Sequence, residues 1–222
     1  MANVYYRLSI KAGLARVDRQ ESCGEMQTEM RKRIANLTSN ILNPFLLCLV
    51  IILLLSFASA PSALDALKWA FISMALSILP VFLVIVYQVR IGRLDAVFTV
   101  VRGQRTKIYL LAVVCAVMGC IILAYLKAPS ILVAAFAAGL STAAVFTCIN
   151  LWWKISLHTA FVAGAVTVLI MLHGWIAMAT VVLVPLTAWA RIELKHHSLA
   201  QAATGALLAA LIVVVVFSFV VF

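Results

Sequence analysis

The residues of this sequence that could do chemistry sit in three short polar clusters, each set between long apolar runs. The most informative is the island from Arg191 to Gln201, which holds Arg191, Lys195, His196, His197 and Gln201. Ionisable groups beside hydrocarbon are costly to keep, so such an island marks a candidate site. If it opens the last helix, His197 and Gln201 lie four apart on one face, with Arg191 in the approach. That arrangement can hold an imidazole in one tautomer beside a guanidinium, which suits phosphoryl chemistry. The plainer reading is a solvated basic loop marking the cytoplasmic edge. A second cluster, Lys154, Ser156, His158 and Thr159, opens the fifth apolar run, and a third, Arg102, Arg105 and Lys107, precedes the third run.

Taken together the clusters supply cations, imidazoles and a serine, with very few carboxylates. Such an inventory fits a phosphate monoester or diphosphate handled without metal. Arg and Lys clamp phosphoryl oxygens, one imidazole can attack phosphorus, and a second can protonate the leaving oxygen. The chain has only seven acidic residues, and Asp18, Glu21, Glu25 and Glu29 lie in its first 40 positions. The clustered aspartates that Mg²⁺-assisted prenyl transfer needs are missing, so neither a metal nor another cofactor is expected.

The elements that must position these residues are membrane helices. Of 222 residues, 66% are hydrophobic and 11% charged, and mean hydropathy is +1.16. That composition predicts an all-α, polytopic transmembrane helical bundle. Apolar runs fall at about 41–60, 67–89, 108–126, 130–150, 157–172, 175–190 and 199–221. Pro80 lies inside the second and should kink it. The fifth and sixth are short and joined only by His173 and Gly174, so they form either a hairpin or one kinked element. The expected count is therefore six or seven spans. Residues 1–40 read as a basic cytoplasmic or interfacial leader that carries none of the site residues, and 41–222 as the transmembrane domain.

Net charge is +10, but the cations lie between apolar runs. The expected partners are thus anionic headgroups of the bilayer and a lipid phosphate substrate, not nucleic acid. With seven spans and the N-terminus inside, fifteen of the seventeen Lys and Arg fall on the inner side, Lys68 and Lys127 being the exceptions. The N-terminus and the site should accordingly be cytoplasmic. The polar start lacks a signal-peptide pattern, which with the compact length points to a prokaryotic plasma membrane. Cysteines 23, 48, 115, 120 and 148 show no metal-ligand spacing. His173 reads as a turn residue, Trp152 and Trp153 as interfacial anchors, and Asp95 as a tether for an arginine.

The order of the clusters, an Arg-rich segment, then Ser-x-His, then Arg-x5-His, resembles the membrane-embedded type 2 phosphatidic acid phosphatase family. That family's pattern runs Lys/Arg-Pro, then Pro-Ser-Gly-His, then Ser-Arg-x5-His-x3-Asp. Ile155, Ser156, Leu157 and His158 occupy the second motif, and Ala190, Arg191 and His197 the third. Arg102 and Arg105 stand at the first, without its Pro or its Lys spacing. The likeness covers roughly residues 95–210. It implies that His197 becomes a phosphohistidine and that His158 is the general acid. Arg191, Arg102 and Arg105 would hold phosphate oxygens, Ser156 would donate a hydrogen bond, and Lys107 and Lys154 would assist. Gln201 takes the place of the orienting Asp, which removes a negative charge but leaves an acceptor. Leu157 replaces the glycine and Ala190 the serine.

The function this implies is hydrolysis of an isoprenyl (di)phosphate or a phospholipid phosphate. The alternative is a non-catalytic protein of the same fold that binds a lipid phosphate or assembles with a partner, motivated by Gln201 and Leu157. A small transporter ranks behind both, because the mid-span polar residues are mostly Ser73, Ser77, Ser141 and Thr142.

Overall fold

A computed structural model describes residues 24–94 and 102–222, apart from the side chains of Arg102, Gln104 and Arg105. Most of the leader and Asp95 lie outside the described residues. The regular elements within them are helical: α1 (Gly24–Ile41), then α2 (Pro44–Ser59), α3 (Ala63–Leu76), α4 (Ile78–Arg90), α5 (Arg102–Tyr125), α6 (Ser130–Asn150), α7 (Leu157–His173), a 3₁₀ segment (Gly174–Val182), α8 (Leu183–Glu193) and α9 (Leu199–Val220). The chain is an all-α polytopic bundle, as its composition predicts.

Local sequence explains the breaks. Asn43 caps α2 by accepting the Leu46 N–H at 2.9 Å, and Pro44 follows at the first helical position, so α1 and α2 meet at 42°. The expected kink is present. Helix α3 ends at Leu76 and α4 resumes at Ile78, because Pro80 offers no N–H to the Leu76 carbonyl. Ser77 at the break donates its hydroxyl to the Ser73 carbonyl at 2.7 Å.

The fifth and sixth runs form a hairpin. Helix α8 packs alongside α7, so the 37-residue apolar element Leu157–Glu193 doubles back on itself. The reversal begins at Gly174, whose φ of 61° is the left-handed region that glycine enters without strain. The return starts as 3₁₀ helix, and Thr180 reinforces that tighter winding by bonding the Ala177 carbonyl three residues back at 2.6 Å. His173, the last residue of α7, is exposed at this turn.

Helices α5, α6, α7 and α9 make the most extensive packing. Phe146, Leu123, Leu132 and Phe217 are fully buried among them. On the outer flanks large apolar side chains stay exposed, Phe71 at 67% and Leu207 at 71%, as lipid-facing surfaces require. Among the described residues five helical elements are long and apolar enough to cross a membrane, and α1 with α2 makes a sixth if that bent pair is one span, against the six or seven expected.

Helix α1 covers the end of the expected leader. Its large apolar residues Met26, Met30, Ile34, Leu37 and Ile41 form an exposed stripe, which suits an interfacial helix. The opposite face, through Ala35 at 0% and Ser39 at 4% exposure, is buried against the bundle. Arg31 also pairs with Glu193 of α8 at 2.7 Å.

Candidate active site

The site is assembled where α7 begins, α8 ends and α9 begins. The turn from α8 to α9 explains the five-residue spacing between Arg191 and His197. The Arg191 carbonyl accepts the backbone N–H of both His196 (3.0 Å) and His197 (3.3 Å), and Lys195 takes a positive φ of 55° to close the loop. The guanidinium and the two imidazoles are thereby held within one turn of backbone.

Helix α9 opens with a capping box. Ser198 Oγ accepts the Gln201 N–H at 3.3 Å, and Gln201 Oε1 accepts the Ser198 N–H at 3.2 Å. The same amide atom lies 3.1 Å from His197 Nδ1. A backbone N–H can only donate, so the atom between them is the amide oxygen. An amide oxygen can only accept, so Nδ1 carries the proton and, in the neutral ring, Nε2 carries the lone pair. Gln201 therefore fixes the tautomer of His197 as a carboxylate would, without the charge.

The start of α7 is docked on the first turns of α9. Ser156 donates its backbone N–H to the Gln201 carbonyl at 3.3 Å, and Thr159 Oγ1 reaches the Ala202 carbonyl at 3.1 Å. Gly205 makes this approach possible, since a Cβ there would lie 2.7 Å from the Ser156 carbonyl oxygen. That neighbour is backbone and cannot swing away. Gly205→Ala is expected to cost about 1–3 kcal/mol of stability by overpacking and to separate His158 from His197, which thermal melting and activity assays would register together. An unchanged melting temperature would show that the two helices part freely.

His158, Arg191, His196, His197 and Lys154 all line one cavity of about 350 Å³. His158 (5% exposed), Arg191 (6%) and His197 (9%) are buried. Lys154 Nζ donates to the His196 carbonyl at 2.7 Å, tying the cluster before α7 to the α8–α9 turn. Arg191 donates from Nη1 to Ser39 Oγ of α1 at 2.8 Å. Among the described residues no carboxylate lines the cavity, so its polar end is cationic and suited to an anion. Among the described residues no three His, Cys, Asp or Glu side chains gather as a metal site.

Other expected site residues fall elsewhere. Ser156 is fully buried as the N-cap of α7, but its Oγ makes no cap bond and finds no hydrogen-bond partner. Lys107 is exposed and borders a second pocket with Gln88 and Arg93, away from the histidines. The reason is angular: adjacent Thr106 bonds Asn150 of α6 at 3.1 Å, and neighbours on a helix point about 100° apart. The side chains of Arg102 and Arg105 lie outside the described residues. Sequence reasoning missed Ser39 and Gly205 altogether, and gave Thr159 no role.

His196 differs from its neighbour. Burial, then the positive charges of Arg191 and Lys154, hold its pKa below the ordinary 6.5. A histidine depressed in the fold stabilises it fully above the unfolded value and loses that contribution as pH falls below 6.5 through the folded value. The melting temperature is expected to drop across that acidic window, and His196→Gln should flatten the drop, as scanning fluorimetry from pH 5 to 8 would reveal.

Comparison with family models, with curated proteins and with solved structures finds no match for this chain.

Proposed function

We propose that this protein is an integral-membrane phosphatase that hydrolyses an isoprenyl (di)phosphate or phospholipid phosphate through a phosphohistidine, as its resemblance to the type 2 phosphatidic acid phosphatases implies. The observation that carries this reading is His197, buried and held as the Nδ1–H tautomer on the same cavity as His158, Arg191 and Lys154. His197 Nε2 attacks phosphorus, the bond from phosphorus to the lipid-side oxygen breaks, and protonated His158 gives that oxygen its proton. Water, deprotonated by His158, then attacks the phosphohistidine, releasing inorganic phosphate and restoring both rings. Arg191 and Lys154 hold the phosphoryl oxygens as charge moves onto them. The excess of cations at this end of the bundle argues for a cytoplasmic site.

The test is phosphate release from farnesyl diphosphate by purified protein without added metal. Release should persist in EDTA, and an acid-labile phosphohistidine should be trapped on His197. Loss of turnover on chelation would overturn the mechanism.

Gln201 favours a second reading, a lipid-phosphate binder without turnover, since an amide stabilises an imidazolium less well than a carboxylate. Gln201→Glu preserves the capping box and supplies the charge. On the phosphatase reading it should raise kcat several-fold, because a charge-assisted hydrogen bond is worth roughly 1 kcal/mol more than a neutral one. A binder would gain affinity at most, and a steady-state comparison of kcat separates the two.

A further inference from the structure

The cavity does not end at the cationic cluster. On α6 its lining runs from Phe146 to Leu132, about 21 Å along the helix axis at about 1.5 Å per residue. On α9 it continues through Ala209 and Val213 to Phe217. One leaflet is roughly 15 Å deep, so the apolar part descends past the bilayer midplane inside the protein. Its walls there are mainly hydrocarbon and aromatic, with Thr142 and Ser77 as polar exceptions, while the charged residues among the described lining, Lys154 and Arg191, are at the opposite end. Such a space matches an amphiphile with one anionic head and one long tail.

The glycines lining or supporting this region differ in what they are for. Gly119 of α5 is filled by the Phe136 ring, and Gly205 by the α7 backbone. Gly139 of α6 has no described atom within 4 Å of the place its Cβ would occupy, and it lines the cavity about two turns below Phe146. Glycine weakens a helix more than any residue but proline. No close packing within the protein compensates for it at this position, where Gly139 is exposed and borders the cavity.

We propose that Gly139 sets the tail length this site accepts: the tail of a single-chain lipid phosphate threads down the lumen and passes over Gly139, where any side chain would stop it. The proposal rests on the lipid-phosphate reading of the cationic end and deepens it to substrates with one linear tail, such as isoprenyl phosphates. Diacyl lipids would have to leave a chain outside.

The test uses geranyl, farnesyl and geranylgeranyl phosphonates, whose P–C bond resists hydrolysis, with binding to the full-length protein in detergent measured by calorimetry. Turnover of the matching phosphates is followed in parallel. In the wild type, affinity should rise with each isoprene unit. Gly139→Leu should weaken geranylgeranyl phosphonate at least tenfold, as methylene-scale clashes in apolar pockets do, weaken farnesyl less, and leave geranyl within about twofold. Unchanged geranyl binding shows that the fold is intact. If Gly139→Leu does not fold, Gly139→Ala adds one methyl and should still lower geranylgeranyl affinity about threefold. Equal weakening of all three ligands, or no weakening of any, overturns the ruler. So does phosphatidic acid displacing geranylgeranyl phosphonate equally from both proteins. A length-dependent loss without turnover would sustain the ruler while ending the phosphatase reading, and turnover with an unchanged length profile would do the reverse.

Discussion

Alanine in place of His197 is expected to abolish phosphate release, while alanine in place of His158 slows it by roughly 10²- to 10⁴-fold, the range for loss of a general acid. The asymmetry follows from the roles. Without a nucleophile no covalent intermediate forms, whereas without the acid the bond to the leaving oxygen still breaks, unassisted. An aryl phosphate sharpens the comparison, because a nitrophenolate leaves without a proton. His158→Ala should therefore recover most of its phosphorylation rate on that substrate, and the variant should accumulate phosphohistidine, because water attack on the intermediate still lacks its base. His197→Ala should recover nothing on either substrate. Rapid-quench measurement of the phosphoenzyme with both substrates checks the assignment. Comparable losses for both variants on the aryl ester would mean that His158 only shapes the pocket.

Much of the framework behind that experiment is legible in the sequence, because the strongest signals belong to solvent partition. The apolar runs, the kink at Pro80 and a break at His173 and Gly174, hairpin or kink, follow from hydrocarbon thickness and from two residues with restricted or permissive backbones. The spacing of His197 and Gln201 is equally readable, since four residues on a helix share a face whatever surrounds them. What cannot be read is how faces are apportioned between neighbours. Lys107 looks as available as Lys154, yet Thr106 fixes the rotation of α5 on α6 and turns Lys107 aside. Gly205 carries no pattern of its own; only the nearness of the Ser156 carbonyl gives it a purpose.

Helix α1 shows the same limit. Its large apolar residues Met26, Met30, Ile34 and Leu37 face away from the bundle. The buried face is made of Ala35 and Ser39, small residues that let α1 approach Arg191 closely. A stripe that would mark the core side in a soluble protein here marks the side offered to lipid. The basic residues around it, Arg31, Lys32 and Arg33, are placed for headgroup contact as well.

The contact between α1 and Arg191 has a measurable consequence. Arg191→Ala should lower kcat/KM by roughly 10²- to 10³-fold, comparable to removing a donor that stabilises transition-state charge. Arg191→Lys should recover little, because a point charge cannot reproduce the planar fork that holds two oxygens at once. Ser39→Ala removes the hydroxyl that accepts the Arg191 Nη1–H and should cost about fivefold, near the 1 kcal/mol of a typical hydrogen bond. Breaking the ion pair with Arg31→Ala should cost less still, since Arg31 is largely exposed and such pairs are worth at most about 1 kcal/mol. A double-mutant cycle on Ser39 and Arg191 separates positioning from simple loss of stability. If Ser39 acts through the guanidinium, its effect vanishes once Arg191 is alanine. If Ser39→Ala costs the same in both backgrounds, α1 supports the fold and not the phosphate-binding end of the cavity.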